Sequence, residues 1–395
     1  MHRPHCYPPA LLLMAGLFVS LLPGCKKDDA NGPDANATEI LVGEYASMTG
    51  PTATFGQSSH NGLIIAIDQI NAQGGVLGKK IRVITEDDQA KADEAVNAVQ
   101  KLINRDKVVA VVGEVASKRS LAGGTVCQNA KIPMLSPAST NPEVTKTGDY
   151  IFRICFTDDF QGAVNGKFAL NRGWKRVAVL TDVANDYSKG LAKGFKDVYP
   201  ANQIVADESY REGDRDFKAQ LTKIKGLSPD AVFLPGYYTD AGLIIRQARE
   251  VGLNVPFFGG DGWDSPETLK LGPVINGCFQ TNHYSADDPR KEVQDFIKTY
   301  KERHNEVPDA MAILGYDAGL VLADAIKRAG KAEPAAIRDA LAATKNFPGA
   351  TGSITIDANR NALKPIVIIQ YQDGATKLVE SIAPEGAAPT TSAAK

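Results

Sequence analysis

Twice in succession the chain alternates short apolar strands with amphipathic helices, and that repetition leaves few architectures open. In the first series, "ILVGEYA" from Ile40, "KIRVITED" from Lys80, "VVAVVG" from Val108 and "IPMLS" from Ile132 are short, apolar and rich in β-branched residues. Between them, "HNGLIIAIDQINAQGG" carries Leu63, Ile64, Ile67 and Ile70 at helical spacing and stops at Gly74 and Gly75. "ADEAVNAVQKLINRD" repeats the pattern with Ala95, Val96, Val99, Leu102 and Ile103. A second series begins after Phe156: "RVAVLTD" from Arg176, "NQIVADESY" from Asn202, "DAVFLPG" from Asp230 and "VPFFGGD" from Val255, again with helical connections such as "TDAGLIIRQAREVG". Strands apolar along their whole length are buried on both faces, and helical connections between them make the sheet parallel and doubly wound. The expected fold class is therefore α/β, and 395 residues suit two such units better than one core.

The two ends stand outside this pattern. Residues 1–24 read as an export signal, with Arg3 at a positive start and an apolar run from Ala10 to Leu22 that is short for a membrane span. The closing "LPGC", Leu22 to Cys25, resembles the lipobox of bacterial lipoproteins, which implies acylation of Cys25, although Pro23 departs from the small residue usual there. Ordinary secretion with Cys25 incidental is the alternative, and both place the protein outside the cytoplasm. Residues 25–38 are polar, small and non-periodic, as a tether would be, and 384–395 have the composition of a disordered tail. The remaining body keeps Cys127, Cys155 and Cys278, an odd number that allows at most one internal disulfide.

A formal charge of −2 provides no electrostatic footprint for nucleic acid. No glycine-rich nucleotide fingerprint, phosphate loop or G-x-S-x-G elbow occurs, so nucleotide binding and serine-hydrolase chemistry lose their support. The body's histidines, His60, His283 and His304, are far apart and not spaced as metal ligands, and they read as surface or interdomain residues. Neither a metal nor a cofactor is expected.

What remains is a set of polar loops after strands, where open α/β sheets bind ligands. After "VVAVVG" comes "EVASKRSLAGG", with Ser117 placed to begin a helix whose free N–H groups favour an anion; a plain capping role is the alternative. After "IPMLS" comes "PASTNPE", whose Ser139 and Thr140 offer hydroxyls from a proline-bracketed backbone. The second series offers Tyr187, Tyr237 and Tyr238, and "FFGGDGWDSP" presents Asp261, Trp263 and Asp264. Asp261 lies between glycines that let a carboxylate approach a cation, although a turn-bracing role accounts for it equally well. Anion donors on one unit facing a carboxylate and aromatics on the other describe a pocket for a zwitterion.

These stretches resemble bacterial periplasmic binding proteins for branched-chain amino acids, the leucine/isoleucine/valine-binding group of ABC importers. The likeness runs through "VGEYASMTGPTATFGQSSHNGLIIAIDQINAQGGVLGKKI", "PMLSPASTNPEVT", "YIFRICFTDDFQG", "DYSKGLA", "FLPGYYTDAGLIIRQARE" and "GGDGWDSP", in shared order and spacing. It implies two doubly wound lobes joined by a three-segment hinge, with crossovers near Arg153 to Asp158, Cys278 to Tyr284 and Phe347 to Gly352. Lobe 1 would comprise 39–154 plus 282–347, and lobe 2 would comprise 155–281 plus 348–383. The helical stretches Pro289 to Arg303 and Asp309 to Ala329 would return to lobe 1, and the strands "GSITID" and "PIVIIQYQD" would belong to lobe 2. Cys155 and Cys278 would both lie on hinge strands, which makes them the pair to test for a disulfide.

Carried over residue by residue, the resemblance implies that Ser117 and Thr140 hold the ligand carboxylate. The Ala138 carbonyl, Thr140 and Asp261 would hold its ammonium, with Asp261 where the family prototype has glutamate. Tyr187 and Tyr237 match tyrosines that close over the ligand, and Phe55 replaces a tyrosine as an apolar wall. A side-chain pocket narrowed by Trp263 would favour alanine or valine over leucine. The implied function is capture of a small L-amino acid, aliphatic or branched-chain, by hinge closure, and delivery to the permease of an ABC importer. The protein would act as a monomer held to the cell envelope by its lipid, and would not be an enzyme. A ligand sensor of the same fold, a binder of small amides or urea, and a hydrolase of a small amide are the competing readings.

Overall fold

The computed structural model describes residues 38–383, so the export signal, Cys25, the tether up to residue 37 and the tail lie outside the described residues. The first series forms β1 (Glu39–Ala46), α1 (Ala53–Ala72), β2 (Lys80–Asp87), α2 (Ala92–Asn104), β3 (Ala110–Val112) and α3 (Ser117–Ala130). It continues with β4 (Met134–Ser136), α4 (Glu143–Lys146) and β5 (Ile151–Arg153). These five strands are all parallel in the order β2-β1-β3-β4-β5. The second series forms α5 (Asp158–Asn171), β6 (Val177–Asp182), α6 (Asp186–Lys196), β7 (Ile204–Tyr210), α7 (Lys218–Gly226) and β8 (Ala231–Phe233). α8 (Tyr238–Glu250), β9 (Phe257–Gly259), α9 (Pro266–Leu269) and β10 (Phe279–Asn282) complete it. The order β7-β6-β8-β9-β10 repeats the winding of the first sheet.

Burial explains both sheets. Every residue of β3, β4, β5, β6, β8 and β9 is buried, as parallel strands covered by helices on two faces must be. α2 turns Ala95, Ala98, Val99 and Leu102 inward and begins with Asp93 and Glu94, which suit the positive end of the helix.

After β10 the chain returns to the first lobe through α10 (Lys291–His304), α11 (Ala310–Ala329) and α12 (Pro334–Ala342), with α11 packed along α1. Strands β11 (Phe347–Gly349), β12 (Gly352–Ile356) and β13 (Ala362–Leu363) follow, then β14 (Ile366–Gln372) and β15 (Ala375–Ile382). β14 and β15 extend the second sheet antiparallel. Two expectations need correction here. The strand in "GSITID" does not join the second sheet; it is β12, the centre of a separate three-stranded sheet with β11 and β13. The third crossover therefore enters the second sheet at Ile366, later than Phe347 to Gly352. Its apolar alternation satisfied either assignment, and only the partner strands distinguish them.

The proposed Cys155–Cys278 disulfide is also absent: Cys127, Cys155 and Cys278 are free and buried. The Cys155 thiol points to the Ser139 carbonyl at 3.4 Å, whereas Cys278 sits in the second-lobe core with the Arg249 guanidinium 3.6 Å away. The two lobes touch across the cleft. Tyr238 donates its hydroxyl proton to the Pro51 carbonyl at 3.1 Å, and Asn141 Nδ2 donates to the Asp186 carbonyl at 2.7 Å.

Candidate functional site

The carboxyl ends of β3 and β4 face the loops after β6, β8 and β9 around a small, tightly lined cleft. Seven residues singled out from the sequence line it together: Phe55, Ser117, Ala138, Thr140, Tyr187, Tyr237 and Asp261. Val115, Gly262 and Met311 complete the lining and were not anticipated.

The loop after β4 shows why small residues stand there. Ser136 Oγ donates to the Glu114 carbonyl at 2.7 Å and accepts the Ser139 N–H at 3.0 Å. Ser139 Oγ lies 2.9 Å from the Glu114 carbonyl, 3.0 Å from that of Val115 and 2.7 Å from Ser120 Oγ. From behind, Arg153 donates to the Ser139 carbonyl at 2.5 Å and to that of Asn141 at 2.7 Å. Ala138 and Thr140, on either side of Ser139, line the cleft, whereas Ser139 does not. Ser139 is thus a brace outside the cavity, which corrects its reading as a ligand donor.

Ser117 opens α3, where the first-turn N–H groups have no helical acceptor. Its hydroxyl accepts the Asn141 N–H at 3.2 Å and so ties the two donor loops together. It does not cap α3. The preceding turn is held by the buried Glu114, whose Oε2 lies 3.0 Å from Arg119 Nε, while Arg119 Nη2 donates to Thr52 Oγ1 at 3.0 Å.

Opposite these donors stands Asp261, only 2% exposed. Its Oδ1 accepts from Gln161 Nε2 at 2.8 Å, and its Oδ2 lies 3.0 Å from His283 Nε2. Neither partner was anticipated: Gln161 lacks any sequence signal, and His283 was read as a surface or interdomain residue. The flanking glycines are required for close approach. A methyl on Gly262 would lie 2.7 Å from the Gly236 carbonyl and 2.8 Å from Tyr187 Cε1, and one on Gly260 would lie 2.4 Å from the Tyr187 hydroxyl. Gly262→Ala is therefore expected to cost about 1–3 kcal/mol of stability by overpacking and to weaken ligand binding with it. Urea unfolding and calorimetry check this, and an unchanged midpoint with unchanged affinity would contradict the packing.

Tyr187 and Tyr237 stack with ring centroids 5.2 Å apart, and Phe55 meets Tyr237 edge-on at 5.4 Å. The Tyr187 hydroxyl accepts the Gly262 N–H at 3.0 Å, while that of Tyr237 has no partner among the described residues. Burial holds both phenols well above their ordinary range, so both are neutral hydroxyls. Trp263 lies elsewhere: fully buried in the second-lobe core, it donates Nε1–H to the Leu234 carbonyl at 3.1 Å. It therefore does not narrow the cavity, and the preference for alanine or valine argued from it has no basis. A second cavity of about 310 Å³ shares Tyr237 and is lined by charged groups including Lys91, Asp93, Lys118, Arg119 and Glu212.

Comparison with known proteins adds the following. Residues 39–376 match the family described as periplasmic binding protein. The Leu/Ile/Val-binding protein BraC3 of Rhizobium johnstonii is 34% identical over 333 residues, covering 82% of this chain and 89% of that protein. The leucine-binding protein LivK of Thermotoga maritima superposes with a TM-score of 0.84 at 38% identity, over 88% of this chain and 99% of its own. The branched-chain amino acid transporter substrate-binding protein LivJ of Streptococcus pneumoniae, solved with isoleucine, also reaches a TM-score of 0.84, at 35% identity over 88% of this chain and 100% of its own.

Proposed function

Since the chain belongs to the periplasmic binding protein family, we propose that it captures an aliphatic L-amino acid outside the cytoplasm and delivers it to an ABC importer. It is a solute-binding protein and not an enzyme. The observation that carries the ligand class is the mixed lining of one small cleft: Asp261 of one lobe shares it with Ser117 and Thr140 of the other and with the apolar Phe55, Val115 and Met311. Ser117 and Thr140 take the α-carboxylate through hydroxyls and backbone N–H groups, and Asp261 with the Ala138 carbonyl takes the α-ammonium. Tyr187 and Tyr237 come from the other lobe, so the full set of contacts exists only when the lobes are closed. Ligand binding then shifts the population toward the closed form, the hinge behaviour for which periplasmic binding proteins are a standard example. The permease reads that closed form.

Calorimetry on refolded, ligand-free protein tests this reading. Leucine, isoleucine, valine and alanine are expected to bind, and analogues lacking either the ammonium or the carboxylate are expected to bind at least about tenfold more weakly. Preferential binding of urea, a simple amide or an uncharged ligand would overturn the zwitterion assignment. The protein works as a monomer, anchored through an acylated Cys25. With Cys25→Ala, the protein expressed with its own leader should move from the membrane to the soluble envelope fraction; unchanged membrane association would exclude the anchor. A sensor of the same fold would lack permease and ATPase genes beside its own.

A further inference from the structure

Asp261 is a short carboxylate on a tight turn, and its aim is determined by what holds it. Gln161 secures one oxygen, and the other faces His283 Nε2 at 3.0 Å. His283 directly follows β10, where the chain leaves the second lobe, and its ring stacks on Phe156 of the first crossover at 3.8 Å with planes 15° apart. The imidazole is thus wedged between two hinge segments and is 2% exposed.

We propose that His283 is a positioning residue for the ligand's ammonium site: a neutral imidazole, held by the hinge, donates Nε2–H to Asp261 and aims its carboxylate at the ligand while leaving its charge intact. This rests on the amino-acid reading given above. His283 Nδ1 has no acceptor among the described residues, so a proton there would go unpaired, and the Nε2–H tautomer places the single N–H where Asp261 accepts it. An imidazolium in its place would neutralise Asp261 and set a second cation beside the ligand ammonium. The charged groups facing the ring are Asp261 and, from the segment before β14, the buried Lys364. Asp158 and Asp264 both lie within reach of the Asp261 charge. Burial, helped by Lys364 and opposed by Asp261, depresses the His283 pKa below its ordinary 6.5. The folded protein therefore keeps the ring neutral at pH 7 and protonates it only below that value. Since the ligand ammonium favours the neutral ring, affinity must fall as acidification passes through the pKa of the ligand-free form.

The test combines calorimetry of L-leucine between about pH 8 and about pH 5 with NMR titration of the histidines in ligand-free protein. Wild-type affinity is expected to be flat above about pH 6.5 and to begin to fall only where the titration finds His283 taking up its proton. His283→Gln keeps a neutral amide donor and should bind within about fivefold of wild type at pH 7, with the acid-side loss removed. His283→Ala should lose about tenfold or more at pH 7, and in an Asp261→Asn background it should add little. Independently of any ligand, Asp261→Asn should lower the His283 pKa further, because the carboxylate stabilises the imidazolium. If His283→Ala fails to fold, His283→Gln and the titration still decide. An acid-side loss unchanged in His283→Gln, or a His283 pKa indifferent to Asp261→Asn, overturns the proposal. Failure of every amino acid to bind wild type would instead overturn the amino-acid reading, and the titration would still judge the His283–Asp261 bond.

Discussion

Asp261→Ala should weaken binding of an aliphatic amino acid by about 2–5 kcal/mol at pH 7, the range for stranding one member of a buried charged pair. The magnitude follows from the site's enclosure. The ligand ammonium is taken out of water into a cavity whose walls are mostly apolar, and without the carboxylate the desolvation of that charge goes uncompensated. Thr140→Ala removes the hydroxyl offered to the carboxylate but keeps the backbone N–H, so it should cost less, about 1.5–3 kcal/mol. Asp261→Glu restores the residue found in the family prototype but inserts a methylene against Gln161 and His283. It should therefore bind less tightly than wild type and more tightly than the alanine variant. Calorimetry on refolded protein measures all three. Leucine affinity within twofold of wild type in Asp261→Ala would remove the carboxylate from the recognition scheme.

Arg153→Met should produce the largest loss of stability of any substitution considered, about 3–5 kcal/mol in urea unfolding, because it removes one partner from a buried, charge-assisted network. Arg153 is fully buried and gives hydrogen bonds to the Ser139 and Asn141 carbonyls, with Thr145 Oγ1 at 3.4 Å. Methionine fills much of the space but removes the charge-assisted donors, leaving the Ser139 carbonyl only the Cys155 thiol and the Asn141 carbonyl only the Val144 N–H. Because the same loop carries Ala138 and Thr140, ligand affinity should drop about tenfold or more alongside stability. Arg105→Met serves as the control: that side chain is 62% exposed and pairs with Asp106 at the surface, so its unfolding midpoint should stay where it is. Equal behaviour of the two variants would show that the network behind the loop contributes nothing.

The parallel sheets were legible because their cause is local. A strand apolar on both faces between amphipathic helices reads the same whatever the rest of the chain does, as "RVAVLTD" and "DAVFLPG" illustrate. Ser117, Ala138, Thr140 and Asp261 were found as candidates because ligand loops follow strand ends in such sheets, and the resemblance to amino-acid binders supplied the separate roles now proposed for them. Ser139 and Trp263 both turn to partners distant in the chain. The Ser139 hydroxyl faces the Glu114 and Val115 carbonyls, 25 and 24 residues before it. Trp263 needed knowledge of which core stood behind its turn, and the Leu234 carbonyl that receives its N–H is 29 residues away in the chain.

By itself, the sequence determined which segments become strands and helices, that the strands are buried on both faces, and which loops lie at their carboxyl ends. Those properties follow from periodicity and from backbone chemistry within a few residues. Only the tertiary structure decided that β12 stands apart from the second sheet, that Cys155 and Cys278 face different surroundings, and that Gln161 and His283 hold Asp261. Each of these is a contact between segments distant in the chain. Its geometry is set by how two lobes and three crossovers pack, and hydrogen-bonding groups such as glutamine and histidine carry no local mark of the partner they will meet.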